Sequence, residues 1–499
     1  MKIIGRILVS AMLCVSILAP FKSAVAGDIN KTKARQVGAY FLAAQFGSKA
    51  ITAQSLNQVY EFRNEERDIA TLYVFNTADN RGFVIVAGSD CVDPIVAYST
   101  DGAFDANNIA PAMMWWLNSQ AEPISYAQNN DLEPRMEYVA AWKELENEAL
   151  PYFGTDSKAI TRLTTSTWNQ EPLYNNMCPI DPKTNQRSVT GCVATAMAQI
   201  LYYWKYPRVG KKTSVYSWEG RDISVNFAEA YYDYDHMVDA LSYSSTQQQI
   251  NAVALLSYHC GVAVKMNYSS NSSGAHSEDV PKALYKYFKY VEDSIQLLYR
   301  SDAEFYNANY ISSPNAKDTL WVNTIKNEIL NGRPVYYSGA SPNSQGDHAR
   351  HAFVCDGWNP VNKKLHFNWG WGGSGDCWCN VYRAQLEVYN GGYNFTNENK
   401  IIIGITPPAD SLVTVGITTV ENPAITEVYP NPAKEQITVS YHLDGNTSDD
   451  MMIFDIAGRE VKRTKVYSAS NIVTISVSDL RPGVYICRLQ GHSSKFIVK

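Results

Sequence analysis

The sequence predicts an α+β protein that ends in a small all-β, immunoglobulin-like sandwich. Three observations carry this. Residues 27–157 open with helical spacing, pass through strand-like runs and return to helical spacing. A helix opened by a cysteine, Cys192, shares the next stretch with a strand–turn–strand over residues 351–368. From about residue 425 the chain changes to short alternating strands separated by turn residues.

A length of 499 residues corresponds to about three domains. Hydrophobic content of 45% with 18% charged residues is ordinary for a globular protein. The net charge of −6 comes without a long basic run, which argues against nucleic acid as a partner. Residues 1–26 read as a signal peptide: Lys2 and Arg6 precede the apolar Ile7–Pro20 run, and Ala24-Val25-Ala26 forms an A-x-A cleavage site. That run is too short to span a membrane, and no later segment is long enough. An exported protein is expected, with no transmembrane segment.

Without Cys14, eight cysteines remain: Cys91, Cys178, Cys192, Cys260, Cys355, Cys377, Cys379 and Cys487. Their spacing shows no dense disulfide framework. Cys377 and Cys379 lie two apart, on one face of a strand, and lack the second pair that a zinc site needs. Neither a metal nor any other cofactor is expected.

In residues 27–157, Lys31–Phe46 has helical spacing. Strands are expected at 72–76, 82–88 and 94–98, with Asn80-Arg81-Gly82 turning a hairpin. A second helix starts near Pro111 and a third covers 136–150. The region holds no histidine and one isolated cysteine, so a structural or inhibitory role fits. Residues 158–407 hold six of the eight histidines. A linker, 408–424, precedes the terminal sandwich of 425–499, whose strands are expected at 437–441, 451–456, 472–477, 484–488 and 496–498.

The chemistry centres on Thr190–Ile200. Cys192 follows Gly191 and begins a run of helix formers that meets no proline before Pro207. A thiol in a first helical turn sits among unpartnered N–H groups at the positive end of the dipole, which favours the nucleophilic thiolate. The plain alternative is a buried, inert cysteine. Thiol catalysis also needs a base, a group that orients it, and donors for an oxyanion. His442 and His492 fall in the sandwich, His236 and His259 in helical stretches, and His276 in a Ser/Gly-rich loop. His351, His366 and His348 remain, in that order. His351 opens the strand His351–Asp356, the residues 357–362 turn, and Lys364–Asn368 returns. Pairing Asp356 with about Lys363 sets His351 opposite Asn368, whose side-chain oxygen would fix the imidazole tautomer. Trp369 and Trp371 would roof that bond. His366 could share the face of Asn368, so this geometry leaves it open as the base. Gln170 has the neutral NH2 group that an oxyanion donor requires, although a surface glutamine is the usual case.

The Cys192 segment, the strand His351–Gly357 and Asn368-Trp369-Gly370-Trp371-Gly372-Gly373 closely resemble streptopain-type cysteine peptidases, the peptidase C10 family. The similarity runs from about Trp168 to Thr406. It implies a papain-like cysteine endopeptidase, made as a secreted zymogen and acting on protein or peptide substrates. It implies Cys192 as nucleophile, His351 as general base and acid, and Gln170 as oxyanion donor, with Asn368 and Trp369 positioning the histidine. A loop matching 272–275 lines the family's substrate groove, so Ser273 and Gly274, with Arg350 and Trp371, are the substrate-binding candidates. Arg350 stands where the family commonly has Gly, and Gly274 where it has Ser. Residues 27–157 resemble the family's inhibitory propeptide, with activation cleavage between about 150 and 165, where Lys158 and Arg162 are candidate sites. Tyr429–Pro432, Asp455–Gly458, Leu480–Tyr485 and Lys495–Lys499 resemble the C-terminal sorting domain of type IX secretion. That implies export by the type IX machinery, followed by release or surface attachment. The competing classes are a catalytically reduced adhesin or haemagglutinin on the same fold, a generic adhesion sandwich at the C-terminus, and acyl transfer to an amine instead of water.

Overall fold

The computed structural model describes residues 27–148, 161–301, 314–342, 348–380, 399–412, 425–441, 443, 448–455, 459–467, 472–489 and 492–499. The expected signal peptide, Lys158, most of the expected 408–424 linker, His442 and the expected turns at 444–446 and 457–458 lie outside these residues. Two compact units divide the chain between Pro408 and Ala409.

In the first unit, helix α1 (Lys31–Phe46) starts and stops where its chemistry dictates. The Asn30 side chain accepts from the Lys33 N–H at its start, and Gly47 ends it in the left-handed region. It packs on a sheet that begins with β1 (Leu56–Asn64), β2 (Ile69–Thr77), β3 (Phe83–Ala87) and β4 (Ile95–Ser99). Helices α2 (Pro111–Asn129) and α3 (Met136–Glu146) follow. β1 was not expected from the sequence. Its alternation is blurred because most of its side chains are only half-buried.

The remaining elements are β5 (Thr161–Arg162), α4 (Cys192–Trp204), the hairpin β6 (Thr213–Trp218) and β7 (Arg221–Asn226), α5 (Gln247–Ala263), α6 (Asp279–Tyr287), β8 (Gln296–Tyr299), α7 (Pro314–Leu330), β9 (Val335–Pro342), β10 (His348–Asn359), β11 (Lys364–Asn368), β12 (Cys377–Cys379) and β13 (Lys400–Ile403). The long sheet runs β1-β2-β3-β4-β12-β11-β10-β9-β13-β8, and β5 pairs with β10. Its seam is β4 against β12, with Tyr98 opposite Trp378 and Ala97 opposite Cys379. Residues 27–148 and the region carrying Cys192 therefore share one sheet.

Period-2 alternation gives that sheet two apolar faces. Tyr337, Phe353 and Phe367 join α1, α2 and α7 in one core. Tyr336, Ala352 and Val354 join α4, α5 and α6 in the other. The α4 side chains Val193, Met197, Ile200 and Leu201 are buried there, each contributing about 1.5–3 kcal/mol by leaving water. This burial anchors the helix that carries Cys192.

The 351–368 hairpin departs from expectation. β10 begins at His348, not His351, and continues through Gly357-Trp358-Asn359, so the turn is confined to residues 360–363. Asn368 faces Val354 rather than His351. A register shift between Cys355 and Gly357 leaves Asp356 unpaired in the ladder, a β-bulge. His348 is thus in a strand rather than a loop, and His236 lies in a turn rather than a helix.

The second unit packs a three-stranded sheet, β14 (Ile425–Tyr429), β15 (Gln436–Tyr441) and β18 (Ile472–Ser476), on a four-stranded one. That sheet holds β17 (Glu460–Tyr467), β16 (Ser448–Asp455), β19 (Gly483–Leu489) and β20 (His492–Val498) in spatial order. The expected sandwich is present. The unforeseen strands are β14 and β17. β17, with Arg463, Lys462 and Lys465, is a charged edge with little apolar signal.

Candidate active site

Cys192 opens α4 directly after Gly191, whose φ of 82° only glycine adopts readily. A Cβ there would also come within 2.9 Å of the Ser273 carbonyl oxygen. The glycine lets the loop lie against the helix start. The thiol is partly open to a groove of about 960 Å³ that His351 and Gln170 also line.

Burial is the largest influence on the thiol and opposes its ionisation. The His351 imidazolium, in hydrogen-bond contact, outweighs it with help from the Ala352 and Val193 N–H groups, and the net shift is downward. At His351 burial again opposes the charge, and the Cys192 thiolate and the Trp369 carbonyl raise the pKa above its ordinary value. Both shifts favour an ion pair.

His351 Nε2 lies 2.9 Å from the Trp369 carbonyl oxygen. Donation to that oxygen leaves Nδ1 for the thiol. The ring also stacks on Phe353, with centroids 5.9 Å apart. Asn368 does not perform the expected orientation through its side chain. Its Oδ1 accepts from Gln199 Nε2 and the Gly370 N–H, both at 3.0 Å, and its Nδ2 donates to the Ser166 carbonyl at 2.6 Å and to Gln199 Oε1 at 2.9 Å. The position of the turn is the physical reason: with Asn359 paired to Lys364, Asn368 falls opposite Val354, three residues along β10 from His351, and its side chain meets Gln199 of α4. Trp369 is itself clamped. Its N–H donates to Asp376 Oδ1 at 2.8 Å, and its indole N–H to the Gly375 carbonyl at 2.9 Å.

Gln170 is 8% exposed and is tied to the residue before Gly191: its carbonyl accepts the Thr190 N–H at 3.1 Å. Ser273 and Gly274 line the groove, but both also brace their loop. The Ser273 hydroxyl donates to the Val189 carbonyl at 2.7 Å. The backbone of Gly274 exchanges hydrogen bonds with Asn267 at 2.9 and 3.1 Å. Arg350 and Trp371 stand on the groove wall. His366 is elsewhere. Its Nδ1 is 2.6 Å from Asp356 Oδ1, both residues are buried, and neither lines the groove.

Sequence reasoning missed Gln199 and Asp376. Gln199 had a signal: it is the one amide in an otherwise apolar helical stretch, seven residues after Cys192. Asp376 had none beyond following a glycine-rich turn.

Residues 26–124, 168–379 and 427–499 match, respectively, the Spi protease inhibitor model, the peptidase C10 family model and the model of the secretion system C-terminal sorting domain. The thiol protease/hemagglutinin PrtT of Porphyromonas gingivalis is 27% identical over 451 residues, covering 89% of this chain. The chain spans only 47% of PrtT. Streptopain of Streptococcus pyogenes is 30% identical over 360 residues, covering 68% of this chain and 81% of streptopain. A solved fragment of prointerpain A from Prevotella intermedia is 29% identical, with a TM-score of 0.52, and covers 71% of this chain and 99% of its own. With a thiol–imidazole pair in a groove, an inhibitor-type region before it and a secretion sorting domain after it, the chain belongs to the peptidase C10 family of streptopain-like cysteine peptidases.

Proposed function

We propose that the chain is a secreted cysteine endopeptidase, made as a zymogen, in which Cys192 attacks the scissile carbonyl of protein substrates. The observation that carries this is the hydrogen-bond contact of the Cys192 thiol with His351, itself held by the Trp369 carbonyl, within one groove. The thiolate sulfur adds to the carbonyl carbon. The oxyanion is received by the Cys192 N–H and the Gln170 side chain. His351 Nδ1 gives its proton to the leaving amine, and a thioester remains on Cys192. Water then attacks that thioester with His351 as base, releasing the acid product and the thiol. The Trp369 carbonyl, rather than the Asn368 side chain, holds the imidazole in the tautomer these steps require.

Residues 27–157 act as the inhibitory propeptide in this reading. Pro111 and Trp115 of α2 line the groove beside Cys192. The Asn108 side chain accepts from the Trp371 indole at 3.3 Å, and its carbonyl accepts from Ser374 at 2.8 Å. The inhibition is by occupancy, because the Cys192–His351 pair is already assembled beneath the propeptide. The pairing of Thr161 and Arg162 with β10 supports activation cleavage before Thr161, within the 150–165 range. The terminal sandwich engages the type IX secretion machinery.

Cys192→Ala tests the reading. The precursor should accumulate uncut and casein hydrolysis should vanish; unchanged hydrolysis rejects the assignment.

A further inference from the structure

The polar residues buried behind the groove form a joint that the reaction scheme above does not use. Gln199 sits on α4 seven residues after Cys192, about 10 Å along the axis and on nearly the same side of the helix. Its neighbours in sequence, Ala198 and Ile200, are buried in the apolar core, and Gln199 itself is 0% exposed. Its amide meets that of Asn368, also 0% exposed, in a closed pair: Gln199 Nε2 donates to Asn368 Oδ1 at 3.0 Å, and Asn368 Nδ2 returns to Gln199 Oε1 at 2.9 Å.

The outward bonds of this pair lead to two other segments of the site. The Trp168 N–H and the Ser166 hydroxyl donate to Gln199 Oε1 at 3.1 and 3.0 Å, and Trp168 is two residues before Gln170. The Gly370 N–H donates to Asn368 Oδ1 at 3.0 Å, directly after Trp369, whose carbonyl receives His351. The third arm is α4 itself, which carries Cys192. The approach is close: a Cβ on Gly370 would lie 3.3 Å from Thr195 Cγ2.

We propose that Gln199 is a positioning residue of the catalytic site: paired with Asn368, it holds the nucleophile helix, the Gln170 segment and the Trp369 loop at one fixed spacing. The inference rests on the cysteine peptidase reading and deepens it. An apolar side chain would fill the volume but leave the Trp168 N–H, the Ser166 hydroxyl and both polar atoms of Asn368 without this partner. A carboxylate could accept from three of the four groups. It could not donate to Asn368 Oδ1, and would set a charge against that oxygen. A protonated carboxyl could donate there.

Gln199→Glu in the full chain therefore has a distinctive signature. Turnover is measured per active site, with sites counted by covalent labelling of Cys192. As the introduced carboxyl ionises, kcat should fall by about 10- to 100-fold with KM within about twofold, and recover at acid pH where the carboxyl is neutral. The parent should lack this extra ionisation. A purely structural role would lower the melting temperature and the number of labelled sites but leave kcat per site and its pH profile as in the parent, and that result overturns the proposal. Should Gln199→Glu fail to fold, Gln199→Met serves, combined with Gln170→Ala. If Gln199 acts partly through the oxyanion donor, the double variant loses less than the product of the single losses. Strict multiplication overturns the proposal. A parent chain whose Cys192→Ala variant retains casein hydrolysis overturns the peptidase reading instead, and the two failures are distinguished by that control.

Discussion

Two histidines on neighbouring antiparallel strands, His351 and His366, have opposite fates. Each is buried and each has one ring nitrogen held at short range. His351 is held by a neutral carbonyl, that of Trp369, and its other nitrogen addresses a thiol at the groove. His366 is held by the carboxylate of Asp356, inside the protein, with Thr164 and Arg162 also drawn to that carboxylate. A histidine that must take up and release a proton during turnover suits a neutral partner and an open side. His366, buried against a carboxylate and away from the groove, has no such open side.

The largest effect should come from breaking each partnership separately. His351→Ala is expected to lower kcat/KM by about 10³- to 10⁴-fold with little change in melting temperature. His366→Gln should do the reverse. It removes one partner of the Asp356 carboxylate, which keeps Thr164 and Arg162, so the cost should be about 1–3 kcal/mol, while turnover per labelled Cys192 survives. Casein hydrolysis and thermal unfolding of the two variants decide this. A catalytic loss at His366 exceeding that at His351 would reverse the assignment.

The comparison sharpens with pH. The Cys192 pKa is depressed, so the thiolate's stabilisation is present at higher pH and lost as pH falls through the folded value. The His351 pKa is raised, so its contribution is present at lower pH and lost as pH rises through the folded value. Each shift extends the pH window in which thiolate and imidazolium coexist. Iodoacetamide should alkylate Cys192 rapidly throughout that window, well below the range of an ordinary thiol, and His351→Ala should push the reaction to alkaline pH. The buried thiols at Cys260 and Cys355, whose pKa values burial pushes far up, should stay unlabelled in the folded chain.

How much of this was legible follows the range of each interaction. The helix after Gly191 was readable because its signal is local: an uninterrupted run of helix formers behind a glycine. α1 was readable for the same reason. His351 as the histidine beside Cys192 was half-readable. The residue stood out, but what separates it from His366 is tertiary: His351 meets the Trp369 carbonyl at the groove, and His366 pairs with Asp356 away from it, contacts no alternation pattern announces. Asn368 was given the wrong partner because Gln199, which it meets, lies 169 residues away in sequence. The seam between β4 and β12 was equally hidden, since edge pairing depends on which strands are left unpaired elsewhere. In the terminal unit the core strands were legible from alternation, whereas the charged edge strand β17 was not.

The smallest expected effect concerns the residue that links the two histidine environments. Asp376 takes the Trp369 N–H through Oδ1, and so steadies the loop that orients His351. Its Oδ2 is buried without a hydrogen-bond partner, and the titratable side chains facing it are those of His366, Asp356 and Arg162. Burial is the main reason its pKa is raised, to about 6, with Asp356 adding in the same direction. A carboxyl whose folded pKa lies above its unfolded value stabilises the fold fully below the unfolded value, and that stabilisation is lost as pH rises through about 6. At pH 8 the ionised group is then a net cost of about 2–3 kcal/mol. Asp376→Asn keeps the acceptor for Trp369 and removes the charge, at the expense of a buried NH2 group. It should gain about 1–2 kcal/mol at pH 8, and the gain should vanish or reverse below about pH 4. Turnover per site should stay within about twofold, because the clamp on Trp369 is retained. Urea unfolding at the two pH values reads this directly. A stability difference that is the same at both would show that the Asp376 charge is compensated in the fold, and that Trp369 is held against a fully paired carboxylate.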